Sequence, residues 1–143
     1  MDHVAIMKKS WNLLPKLVSG EKKIESRWYS TRHLPWGRIK NGDRVFFKNS
    51  GEPVMVEATV EKVLEFKNLN QNKVKLLLSD YGKDDGIEQI DVATYFELFK
   101  DKKYCVLIFV NDVKMVKPFG INKNGYGAMS AWITVPNINL IRQ

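Results

Sequence analysis

Val54, Val56, Ala58 and Val60 alternate with Met55, Glu57, Thr59 and Glu61, and then the phase breaks, with Val63, Leu64 and Phe66 carrying the apolar pattern onward out of step. Strict alternation is the signature of a strand with one buried face. A long strand over Val54–Phe66 that changes phase near Glu61–Val63 needs a bulge or bend, the device by which a sheet curls toward closure. A second segment, Lys103–Val110, is apolar nearly throughout, as expected of a strand covered on both faces and therefore central. These two strands demand a curved sheet.

The rest of the chain supplies partners for it. Asp2–Met7, Lys23–Tyr29, Arg44–Asn49, Val113–Phe119 and Ala131–Thr134 read as shorter strands. Ser10–Ser19 reads as a helix, with Ser10 or Asn12 as cap, Pro15 in its first turn and Gly20 as its stop. Asn70–Tyr81 and Asp91–Phe99 read as two more, joined by the polar Gly82–Glu88 stretch. Asn41-Gly42-Asp43 carries the strongest short hairpin signal, because Asn and Gly tolerate positive φ, and Ser50-Gly51-Glu52-Pro53 is a further turn. The pattern is α+β: about six strands in a small closed or nearly closed β-barrel, with flanking helices. At 143 residues the chain is the size of one domain, spanning 1–143.

Charge narrows the function. Residues 1–50 hold 11 Lys and Arg against 4 Asp and Glu, whereas residues 51–143 hold 12 of each, so the whole excess of +7 lies in the first third. Arg27, Arg32, Arg38, Lys40 and Lys48 there are interleaved with Trp28, Tyr29, Trp36 and Phe46. Cations beside flat side chains are what a single-stranded nucleic-acid surface requires. A solvated basic face with aromatics turned inward would give the same pattern. The lone Cys105, inside the apolar segment, excludes a disulfide framework and reads as a small buried hydrophobe. No apolar stretch approaches the roughly 18 residues of a membrane span, and Met1–Lys9 lacks the signal-peptide pattern. A cytoplasmic protein without membrane attachment is expected.

The densest chemistry lies at Gly20-Glu21-Lys22-Lys23-Ile24-Glu25-Ser26-Arg27. On a strand, residues two apart share a face, so Glu25 and Arg27 project together, Ser26 faces the other way, and Lys22 stands at the turn. An acceptor beside a forked donor, with an ammonium at the mouth, suits a base or a phosphate. An exposed ion pair is the plainer alternative. If the pair lines a pocket, Glu25→Gln should weaken the ligand while leaving stability nearly unchanged.

Gly20, Lys22, Glu25 and Arg27 together match G-x-K-x-x-E-x-R, and the chain resembles the ASCH domains of the PUA-like superfamily. The likeness extends to Gly42-Asp43-Arg44-Val45-Phe46-Phe47-Lys48, a helical insertion, a hydrophobic strand and a Gly-rich segment near the end. The resemblance implies binding of RNA, or of a modified nucleotide, in a cleft between the barrel and the first helix. It also implies an alternative: a small hydrolase acting on a modified cytidine nucleoside (an amidohydrolase) or on RNA (a ribonuclease), with Lys22 and Glu25 as its catalytic candidates. The amidohydrolase branch is similar to G-x-K-T-x-T-x-R, and Glu25 replaces the nucleophilic threonine, which counts against that chemistry. A buried Lys22 of lowered pKa would be the base in a hydrolytic reading. A protein-interaction adaptor is a third possibility.

Beyond the motif, Lys48, Asn49 and Ser50 form a donor-rich turn that would serve the same ligand. Trp36 and Tyr126 are the stacking candidates. His3 and His33 lack metal-ligand spacing, and no cofactor fingerprint is present, so neither metal nor cofactor is expected.

Overall fold

A computed structural model describes residues 1–143. The strands are β1 (Asp2–Met7), β2 (Ile24–Tyr29), β3 (Arg44–Asn49), β4 (Val54–Phe66), β5 (Tyr104–Phe119) and β6 (Trp132–Val135). They form one six-stranded sheet in the order β2-β5-β4-β3-β1-β6, antiparallel except where β1 runs beside β3. The sheet curls into a half-barrel whose edge strands, β2 and β6, come near one another without pairing. The helices are α1 (Leu14–Ser19), α2 (Gln71–Tyr81) and α3 (Val92–Phe99). None of them is long and apolar enough to cross a membrane.

The curl follows from the irregularity in β4. Its alternation runs unbroken to Val60, and the register with β5 slips between Val60 and Lys62. A second slip lies opposite Asp112, whose φ of 51° is a bulge conformation that aspartate tolerates. Lys103–Val110 and Val113–Phe119 are therefore one bulged strand of 16 residues rather than two. Its first half is covered on both faces. Val106, Ile108 and Val110 join the core inside the curl with Phe47, Val56 and Leu17, while Cys105 and Leu107 pack outward against Val74, Leu78 and Ile87.

Two further local readings require correction. The expected helix over 10–19 is a 3-10 turn, Lys9–Trp11, followed by α1. Asn12 takes a left-handed φ of 52°, and Pro15 in the first turn has no N–H to extend the ladder backward, so the two segments cannot fuse. Gly20, at φ 83°, does end α1. The Asn41-Gly42 turn closes no hairpin, because β2 pairs with β5 and β3 pairs with β4 and β1. Its Gly42 N–H donates to Val60 O at 2.8 Å instead, aiming the chain into β3.

A buried polar knot fixes one end of the sheet. His3, fully buried, places Nε2 2.8 Å from Asp43 Oδ2, and Trp132 Nε1 donates to His3 Nδ1 at 3.1 Å. Since Nδ1 accepts, the ring proton sits on Nε2 and is given to Asp43. Burial holds the imidazole below its ordinary pKa in spite of that carboxylate.

Candidate functional site

As an edge strand, β2 can bond only on one side. Val110 N donates to Lys23 O, so the backbone of alternate residues from Lys23 onward is directed at β5, and that of Ile24, Ser26 and Trp28 points to the free edge. The segment Asp84–Gly86 caps the start of this edge, with Asp84 O accepting from Ile24 N at 2.9 Å. Farther along lies a cavity of about 270 Å³ between β2, the end of β1, the 3-10 turn and α3. Trp11, Trp28, Tyr95 and Phe99 contribute its aromatic lining, and Lys22, Glu25, Arg27 and Asp85 the charge on its inner side, with Lys8 at the rim.

The four charges form one network. Lys22 Nζ donates to Ile24 O, Asp85 O and Asp85 Oδ1, each at 2.7 Å, and stands 3.2 Å from Glu25 Oε1. Arg27 donates through Nε and Nη2 to Glu25 Oε2, at 3.1 and 2.7 Å. Its Nη1 reaches across the seam to Ala131 O at 3.2 Å, and the guanidinium lies over the Trp132 ring, 5.1 Å from its centroid. Ser26 Oγ donates to Asp85 Oδ2 and accepts from Trp28 Nε1.

Burial would lower the pKa of Lys22, but Asp85 and Glu25 outweigh it and hold the ammonium above its usual range. Burial would raise Glu25, and Arg27 with Lys22 reverses that, keeping the carboxylate low. Asp85 goes the other way. Burial and the nearby Glu25 charge lift it, because it shares its only cation, Lys22, whereas Glu25 also has Arg27.

The structure thus brings Lys22, Glu25 and Arg27 to one cavity and changes what Lys22 can do there. At 1% exposure, with four acceptors around three protons, it has none left for a phosphate or a base oxygen. Held above its ordinary pKa, this lysine is a poorer base than the lowered-pKa residue that the hydrolytic reading calls for. Ser26 keeps its expected side of the strand but gains an unexpected role. It lies across the strand from Glu25 yet lines the same cavity, because the cavity follows the free edge and Asp85 wraps past it.

Trp36, Lys48, Asn49, Ser50 and Tyr126 do not line this cavity. Trp36 packs against the inner core, edge-on to Tyr104. Lys48 lies on the sheet's other face, Asn49 Nδ2 donates to Glu52, and Ser50 N bonds Met7 O. Tyr126 sits half-exposed in the loop before β6.

No family model and no curated protein matches the sequence. Solved structures do match. The crystal structure of ASCH from Zymomonas mobilis is similar with a TM-score of 0.66 at 17% identity, over 99% of this chain and 96% of that one. A single-residue mutant of that protein gives 0.68 at 16% identity, over 97% and 93%. The chain has the ASCH-domain fold.

Within this ASCH fold, the G-x-K-x-x-E-x-R segment runs from the stop of α1 onto the free edge of the half-barrel. Sequence reasoning missed Asp85, Trp11, Tyr95 and Phe99. Asp85 carried one signal, the glycine that follows it. Gly86 has a φ of 83°, and a Cβ there would lie 3.2 Å from Lys22 Cβ, so glycine lets the Lys22 stem pass. Nothing local distinguishes the aromatics of α3 from ordinary packing residues.

Proposed function

We propose that the cavity binds a nucleobase, presented by single-stranded RNA or carried by a modified nucleotide within it. The observation that carries this reading is the pairing of aromatic walls with polar groups already fixed in place beside them. Its volume is near the lower end of small-ligand sites, about 300 Å³, which suits one planar group rather than an extended molecule. Trp11 and Tyr95 meet edge to face, with ring centroids 5.3 Å apart, and supply faces and edges against which a base can stack. The N–H and C=O of Ser26 and Trp28, left over at the strand edge, offer a donor and acceptor pattern to a base edge. The positive charge of the first third continues at the rim in Lys8, whose Nζ lies 5.6 Å from the Trp11 ring centroid.

In this reading the Lys22–Glu25–Arg27–Asp85 network shapes the cavity floor, and attraction for phosphate comes from cations outside it. A mobility-shift titration with single-stranded RNA at two salt concentrations tests it. Retardation at low salt, weaker at high salt and weakened by Trp11→Ala or Lys8→Ala, is expected. A folded protein that retards no RNA at low salt overturns the reading. RNA shortened during incubation would instead favour the hydrolytic alternative.

A further inference from the structure

The face of the sheet opposite the core inside the curl carries a second crevice, of about 370 Å³, between the β3–β4 turn and the segment leading away from β5. Lys48 lines it. Two residues after Phe46 on β3, Lys48 points to the face that the C-terminal segment covers, and it is only 8% exposed. It makes no ion pair and no hydrogen bond. Glu52, the carboxylate beside it, is taken by Lys9 Nζ at 2.7 Å and Asn49 Nδ2 at 3.0 Å. Lys123 lines the same crevice, with its Nζ donating to Ala128 O and Ser130 O and one proton remaining. Two ammonium groups thus share one crevice with no anion assigned to them, and burial together with Lys123 depresses the pKa of Lys48. The Lys48 stem is buried while its Nζ stays at the open side of the crevice, the only buried side-chain atom without a partner being Asn49 Oδ1; a ligand anion would supply the ammonium's partner there.

We propose that Lys48 and Lys123 form a phosphate-binding subsite, separate from the cavity, that holds a backbone phosphate of the RNA whose base the cavity takes. In naming RNA, this rests on the reading of the cavity given above. The two sites are neighbours. Ile6, which lines the cavity, pairs with Lys48 in the β1–β3 register, so the same stretch of β1 and β3 carries the cavity on one face of the sheet and the crevice on the other. The loop before β6 joins them as well, since Ser130 O accepts from Lys123 and Ala131 O from Arg27. In this reading the RNA strand passes the loop before β6, one of its phosphates resting in the crevice.

Two measurements on the full chain test this. Titration with inorganic phosphate, followed through backbone amide resonances, should give saturable shifts at Gly51 and Gly120, small ones at Ser26, and none at Gly51 or Gly120 in Lys48→Met. Methionine retains most of the stem and removes the charge, and the variant should melt no lower than the parent. In the RNA titration, Lys48→Met should make the slope of log affinity against log salt shallower by about 0.7, the loss of one phosphate contact to a single strand. Lys48→Arg should restore it. Shifts that never saturate, or that persist in Lys48→Met, overturn the subsite. So does RNA binding with an unchanged salt slope in that variant, which leaves the cavity reading standing. Saturable phosphate binding by a protein that retards no RNA would confine the subsite to small phosphate compounds and overturn its link to nucleic acid.

Discussion

Lys22 and Asp85, 63 residues apart in the chain, meet at 2.7 Å with neither side chain more than 8% exposed. The contact fastens the polar loop between α2 and α3 to the beginning of the edge strand β2, and with it one wall of the cavity. A buried ion pair need not stabilise a fold more than apolar residues would, but removing one partner leaves a buried charge uncompensated.

Lys22→Met should therefore destabilise the protein by about 3–5 kcal/mol, since both Asp85 and Glu25 lose their shared cation. Chemical denaturation followed by tryptophan fluorescence measures it. A loss below about 1 kcal/mol would mean that the network is hydrated rather than buried.

Glu25→Gln has a different consequence from the one the sequence suggests. An expectation of nearly unchanged stability treats the carboxylate as aimed at a ligand. Glu25 instead accepts from Arg27 and pairs with Lys22, so losing its charge should cost about 1.5–3 kcal/mol, the range for hydrogen bonds to charged groups. RNA affinity should also fall, because Arg27 loses the group that orients it. Equal melting temperatures for variant and parent would contradict this.

Gly86→Ala tests the passage of the Lys22 stem. Its φ of 83° costs an L-residue roughly 1–2 kcal/mol, and the new Cβ would lie 3.2 Å from Lys22 Cβ. A loss at or above that range is expected in urea denaturation. Gly51→Ala, also at positive φ but with no atom within 4 Å of its Cβ, isolates the backbone strain and should lose less.

Acid should weaken the fold first through His3. Its pKa is lowered in the folded state, so its stabilising contribution is complete above the unfolded value near 6.5. That contribution is lost as the pH falls from there through the folded value, at up to about 1.4 kcal/mol per pH unit. Glu25 and Asp43, also held low, add their losses only below the ordinary carboxylate range. Urea midpoints at pH 7.5 and 5.5 should differ in the parent and differ less in His3→Asn. Equal differences would place the sensitivity elsewhere.

Much of the fold is legible because strand signals are local. The alternation from Val54 to Val60 and its break at Glu61–Val63 correspond to a buried face and a register slip at Val60/Lys62. The apolar character of Lys103–Val110 corresponds to a strand packed on both faces. The juxtaposition of Glu25 with Arg27 follows from the period of two along β2. The motif stood out for the same reason, its members lying within eight residues of one another.

What lies across the sheet was not legible. No local pattern tells a chain that Asn41-Gly42 will feed a strand paired elsewhere, that β2 will be an edge, or that Lys48 will face away from the cavity. Asp85 and Lys22 are ordinary surface-type residues in sequence, and only the crossing of the α2–α3 loop over β2 turns them into a buried pair. By itself, the sequence determined which segments are strands, which faces are apolar, and that acid and base alternate on β2. Tertiary structure decided which strand is left with a free edge and which charges are removed from water there. Periodicity acts between neighbours in the chain, whereas burial, pKa and an unfilled edge depend on what distant segments place alongside.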